Sequence, residues 1–153
     1  MLRNSNRAIK ALLFLSALSL LAGCKSGPQK DAFLHADDEG VVFIQWTREG
    51  MQIRGTIDIS EKKPDNEIKT TLISFDGISD GGNVTMNLKS SWTARHGDKA
   101  DRGRMEGRLK DNTLILFTAD AHEPMEFRRA TTTEHDEATR KLQTRAKLNK
   151  GAH

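Results

Sequence analysis

The chain has 153 residues, with 24 lysines and arginines against 21 aspartates and glutamates, a single cysteine and no tyrosine. That length suits one domain behind a short leader, and a single cysteine excludes a disulfide within the chain. Arg3, Arg7 and Lys10 carry the whole excess of three positive charges, so the rest is neutral and lacks the basic footprint that nucleic-acid binding needs.

The first ten residues are basic, with no acid, and Ala11 to Leu21 form an eleven-residue apolar run. A bilayer span needs about 20 such residues. A basic head, a short apolar middle and a small-residue exit at Ala22 and Gly23 predict a secretory signal peptide over residues 1–23. Its end, Leu21-Ala22-Gly23-Cys24, resembles the lipobox of bacterial lipoproteins. The resemblance implies cleavage between Gly23 and Cys24, a diacylglycerol thioether on Cys24 and further acylation, such as palmitate, at the new amino terminus. Two or more chains suit the physics, because one myristoyl-sized chain holds a protein to a membrane only marginally. Lys25 after the cysteine implies the outer membrane if the cell has two membranes. The lipid on Cys24 is thus the expected membrane partner, and the cell envelope the expected location.

Residues 24–40 read as a flexible tether, punctuated by Gly27, Pro28 and Gly40 and carrying the acidic knot Asp37-Asp38-Glu39. His35 beside that knot lacks the alternating oxygen ligands of a calcium loop. From Val41 the hydrophobic period becomes two. Val42, Ile44 and Trp46 share a face; so do Met51, Ile53, Gly55, Ile57 and Ile59, then Val84, Met86, Leu88, Ser90 and Trp92. Met105, Gly107, Leu109, Met125 and Phe127 continue the pattern. "TTLISF" and "TLILF" are more uniformly apolar and read as strands covered on both faces. Turn residues stand at Glu49-Gly50, Pro64-Asp65-Asn66, Asp76-Gly77, Asp80-Gly81-Gly82-Asn83 and Asp111-Asn112. Residues 41–130 therefore read as an antiparallel up-and-down meander of about seven strands, a mainly β fold closing as a small barrel or a sandwich.

Thr93 to Arg104, "TARHGDKADRGR", is the longest polar connection. Long loops in compact domains are usually functional or disordered; beside the plainer reading of disorder, Arg95, His96, Arg102 and Arg104 are candidates for binding an anionic partner. Trp46 and Trp92 are candidates for lining a ligand site at a barrel mouth, with core packing as the plainer reading. Residues 131–153 read as a basic C-terminal helix and tail. Thr133 and Asp136 stand at capping-box spacing, and Ala138, Leu142 and Ala146 make a thin apolar stripe. From Arg128 onward seven bases face three acids, so the tail could rest on anionic headgroups.

No catalytic constellation emerges. His122-Glu123 lacks the second histidine of a zinc-protease motif, the histidines at 35, 96, 122 and 135 lack ligand spacing, and Ser90 and Ser91 lack a nucleophile elbow. Asp58 and Glu106 are the best pair of acids for a hydrolase. No metal or cofactor is expected. "FDGISDGGNVTMNL" and "GRMEGRLKDNTLILF", about a quarter of the chain after Cys24, resemble strand–turn segments of small β-rich envelope lipoproteins. That resemblance supports the fold and brings no activity with it. The expected function is non-enzymatic binding of an envelope protein or a small ligand by a lipid-anchored domain. The alternatives are an exclusion or inhibitor lipoprotein acting on a neighbouring envelope protein, and a hydrolase.

Overall fold

A computed structural model of the chain describes residues 27–89, 103–117 and 123–150. Eight strands follow one another: β1 (Gln29–Ala36), β2 (Gly40–Glu49), β3 (Gln52–Lys62), β4 (Ile68–Asp80), β5 (Asn83–Leu88), β6 (Arg104–Lys110), β7 (Thr113–Phe117) and β8 (Met125–Arg129). A helix, α1, spans Thr132–Lys150. Each strand pairs antiparallel with the next, and β1 returns to β8 through Phe33 opposite Arg129 and Leu34 opposite Arg128. The sheet is a closed barrel, which removes both open edges of a meander.

The meander is as the alternation predicts, with one strand more. Residues 29–36, read as tether, form β1, with all eight residues paired to β2. The barrel therefore starts at Gln29 rather than at Val41. Asp37-Asp38-Glu39 is the β1–β2 turn, where the Asp37 carboxylate accepts from the backbone N–H groups of Glu39 at 2.8 Å and Gly40 at 2.7 Å. Burial pushes the Asp37 carboxyl up, but those two donors and His35 outweigh it, so it lies below its ordinary value.

Eight strands enclose a space that side chains just fill. Phe33, Ile44, Trp46, Phe75, Met86, Leu114, Leu116 and Phe127 all point inward and are buried. The outer face carries the polar half of the alternation, the reverse of a membrane-spanning barrel with its polar lumen. No described helix is long and apolar enough to cross a membrane.

Asp76-Gly77 is not a turn. Both residues lie inside the thirteen-residue β4, and a Cβ at Gly77 would meet the Thr85 carbonyl oxygen at 1.9 Å. The glycine is there because neighbouring strands approach too closely for any side chain. The true turn follows at Gly81-Gly82, both at positive φ (54° and 91°), as a two-residue type I′ hairpin requires.

Expected cover on both faces of "TTLISF" and "TLILF" is also absent. Leu72 and Phe117 point outward and are 61% and 47% exposed. The strands that are covered twice are β1 and β2. Their inner residues join the core, while Leu34, Val41 and Phe43 pack outside against Leu142 of α1, with Ala138 alongside. α1 starts where β8 ends and runs back along the barrel, so that Arg145 bonds Asp38 in the β1–β2 turn.

Its cap is not at Thr133. Thr131 stands before the helix; its hydroxyl accepts from the Glu134 N–H at 3.3 Å, and the Glu134 carboxylate accepts from the Thr131 N–H at 2.8 Å. This is a capping box two residues earlier than the predicted one.

Candidate functional site

The barrel has two unlike ends. The chain enters at Gln29, and the same end carries the β2–β3, β4–β5 and β6–β7 turns. At this entry end the inward side chain of Arg129 lies over the Phe33 ring, 5.4 Å from its centroid, and donates to the Asp31 carboxylate at 2.7 Å. The Asp31 side chain is 1% exposed, that of Arg129 40%. A carboxylate so buried requires its cation, because removing one partner strands the other charge out of water. The pair and the Phe33 ring close this end of the core.

Trp46 sits beneath, its ring 4.9 Å from Phe33 and 6.4 Å from Phe75. It is opposite Gly55, where a Cβ would meet the Gln45 carbonyl oxygen at 2.0 Å and the Trp46 Cβ at 2.8 Å. The glycine makes room for the indole. Trp46 is thus part of the core, and it is also among the residues that border the outer groove. Its buried Nε1–H has no partner among the described residues, at a cost of about 1–3 kcal/mol.

The concavity of interest lies outside the barrel. Between the start of α1 and the outer face of β1–β3 runs an open groove of about 700 Å³. Alternation places Lys30 and Ala32 of β1, Gln45 and Thr47 of β2, and Arg54 and Thr56 of β3 on this face, and Thr131, Thr132 and Glu134 form its wall. Register aligns Lys30, Thr47 and Arg54 in one row, and Ala32, Gln45 and Thr56 in the next. Gln45 donates to Thr56 at 3.4 Å.

Glu134 is held by the Thr131 backbone N–H, by Arg128 at 2.6 Å and by the Thr131 hydroxyl, which together keep its carboxyl below the ordinary glutamate value. Lys30 and Arg54 are exposed and have no acidic partner among the described residues. The groove therefore offers two free cations, threonine hydroxyls and an amide. Beside the Glu134 carboxylate of the wall, that set has the chemistry to meet an anionic group.

Of the residues predicted to matter, Cys24 with Leu21, Ala22 and Gly23, as well as Arg95, His96, Arg102 and Trp92, lie outside the described residues. Arg104 begins β6 instead of ending a loop, and it pairs with Glu106 at 2.8 Å. Asp58 and Glu106 do not face each other: they stand on β3 and β6, which are not neighbours. Asp58 lies under α1, where the His135 ring stacks on Phe43 at 4.5 Å and its Nε2 stands 3.9 Å from the Asp58 carboxylate. Among the described residues no three acids, histidines or cysteines converge as metal ligands.

Sequence reading missed the groove because half of it belongs to the segment taken for a tether. Lys30 and Ala32 matter only once β1 is known to lie beside β2. The missed signal was "AFLH", an apolar pair of Phe33 and Leu34 inside a polar stretch. No family model matches this chain, and neither curated proteins nor solved structures yield a match.

Proposed function

We propose that the protein is a lipid-anchored binding protein of the bacterial cell envelope, without a reaction of its own, that holds an anionic part of a partner or small ligand in the outer groove. The observation that carries the binding is the row of Lys30, Thr47 and Arg54 beside the start of α1, with both cations unpaired among the described residues. A packed interior turns attention from the barrel mouth to the surface, because Phe33, Trp46 and Phe75 fill the space a ligand would need. Threonine hydroxyls and guanidinium forks suit carboxylate or phosphate oxygens, where charge-assisted hydrogen bonds are roughly twice as strong as neutral ones. The anchor is supported by the basic head, the apolar run and Leu21-Ala22-Gly23-Cys24.

Two measurements test this reading. Fatty-acid labelling should mark the wild type and not Cys24→Ser; equal labelling of both would remove the anchor. Crosslinking in native membranes should capture a partner that Lys30→Glu combined with Arg54→Glu loses. Undiminished capture by the folded double variant would remove the groove.

A further inference from the structure

Where the chain enters the barrel decides which end meets the membrane. β1 begins at Gln29, whose side chain is held by Arg48 of β2, so the first strand is fixed from its first residue. Only residues 25–28 separate it from Cys24. Five residue steps reach about 18 Å at full extension. A ten-residue strand such as β2 spans about 33 Å, or about 25 Å along the axis of a barrel with strands tilted near 40°. The connector is shorter than the barrel is tall. If Cys24 is in the bilayer, the far end cannot touch the surface while the entry end points away.

The β1–β2 and β3–β4 turns of the far end also differ in charge from the entry end. On the far end, the segments 37–39 and 61–67 contain six acids (Asp37, Asp38, Glu39, Glu61, Asp65 and Glu67) against Lys62 and Lys63, with Arg145 of α1 bonded to Asp38. Anionic headgroups repel those two turns. On the entry end, Arg48, Lys30, Arg108 and Lys110 outnumber Glu49, Asp80 and Asp111.

The entry end also exposes two apolar side chains side by side. Met51 is 57% exposed and Ile78 47%; Ile78 is opposite Gln52, and the Ser79 N–H bonds the Met51 carbonyl at 2.8 Å. Apolar tips among cations fit the boundary between headgroup and acyl chain.

We infer that the entry end, with its β2–β3, β4–β5 and β6–β7 turns, docks on the bilayer surface, so that the far end points away from the lipid. This rests on the lipid-anchor reading of Cys24. It places the groove row of Lys30 and Arg54 at the membrane-proximal side and the bases of α1, Arg145 and Lys147, at the distal side. The basic tail then does not lie on headgroups.

The test uses the chain from Cys24 onward, which holds all eight strands and α1. Its thiol is coupled to a maleimide phospholipid in vesicles of phosphatidylethanolamine and phosphatidylglycerol. Amide hydrogen exchange should slow at residues 49–52, 80–83 and 110–113, and stay unchanged at 37–40 and 63–67. Met51→Ser with Ile78→Ser should reduce the protection. Slowing along 140–150 instead means the barrel lies on its helix, and slowing nowhere means it stands clear; either result overturns docking. Fatty-acid labelling of Cys24 in cells is scored separately. Its failure removes the anchor, while the coupled chain still reports which end meets lipid.

Discussion

Strands β1–β3 and strands β4–β7 come from the same alternating pattern, yet they live in different surroundings. On the first side the outer face is roofed by α1: Leu34, Val41 and Phe43 are buried outside the barrel as Phe33, Ile44 and Trp46 are within it. On the second side the outer face meets water, and Leu72, Ile78 and Phe117 stand exposed. The roofed side also holds the groove. A helix laid along one flank turns an even barrel into one with a specialised face.

Removing β1 should break that comparison most severely. A chain starting at Val41 lacks Phe33 and Leu34, leaves β2 and β8 as open edges, and strands Arg129 without Asp31. It should show no cooperative thermal transition by circular dichroism. A normal transition would mean that seven strands suffice.

Single side chains sharpen the contrast. Phe43→Ala, under α1, should cost about 3–5 kcal/mol in denaturant unfolding. Leu72→Ala, in the same cross-strand row but exposed, should stay within about 0.5 kcal/mol. Equal effects would show that α1 does not roof this flank.

Next in size is Gly77→Ala, on the open side. The added methyl meets the Thr85 carbonyl, and overpacking of this kind costs roughly 1–3 kcal/mol. Gly55→Ala on the roofed side should behave alike, since the interior packing is common to both flanks. A neutral result at either position in urea melts would indicate looser strand pairing there.

Thr131→Ala removes the hydroxyl of the capping box and should cost about 1 kcal/mol. Thr133→Ala, at the position predicted from spacing, should cost less by the same melt. A smaller change is expected from acid. Asp37 and Glu134 both have folded-state values below their unfolded ones, so their stabilisation is complete above the unfolded values. It is lost as pH falls through the lowered ones, on the acid side of the ordinary carboxylate range. The thermal midpoint should fall in that window, and less so for Asp37→Asn with Glu134→Gln.

Legibility followed the number of covered faces. β5 buries one face and β3 keeps a polar outer row even where α1 covers Asp58, so their inward rows, Ile53-Gly55-Ile57-Ile59 and Val84-Met86-Leu88, can be read directly from the alternation. β1 cannot be read in this way. Its inward row starts with Asp31, a buried acid, and its outward row holds Ala32 and Leu34 under the helix, so polar and apolar residues do not alternate. Asp31 looks like a tether residue until Arg129, far along the chain, is placed 2.7 Å away. The groove inherits the same difficulty, because Lys30, Arg54 and Thr131 come together only through closure of the barrel and the return of α1. Position of a turn was legible where positive φ demanded glycine, as at Gly81-Gly82. It was misread at Gly77, where glycine serves close approach.

The standing of β1 as a stave of the barrel underlies the closed fold, the groove and the short link to Cys24 together. Hydrogen exchange of the Phe33 and Leu34 amides, followed by NMR and compared with β3, tests it most directly. Protection matching that of the Ile57 region, lost only with global unfolding, is the predicted result. Exchange at the rate of an unstructured peptide, with β3 still protected, would contradict it and return residues 29–36 to a tether.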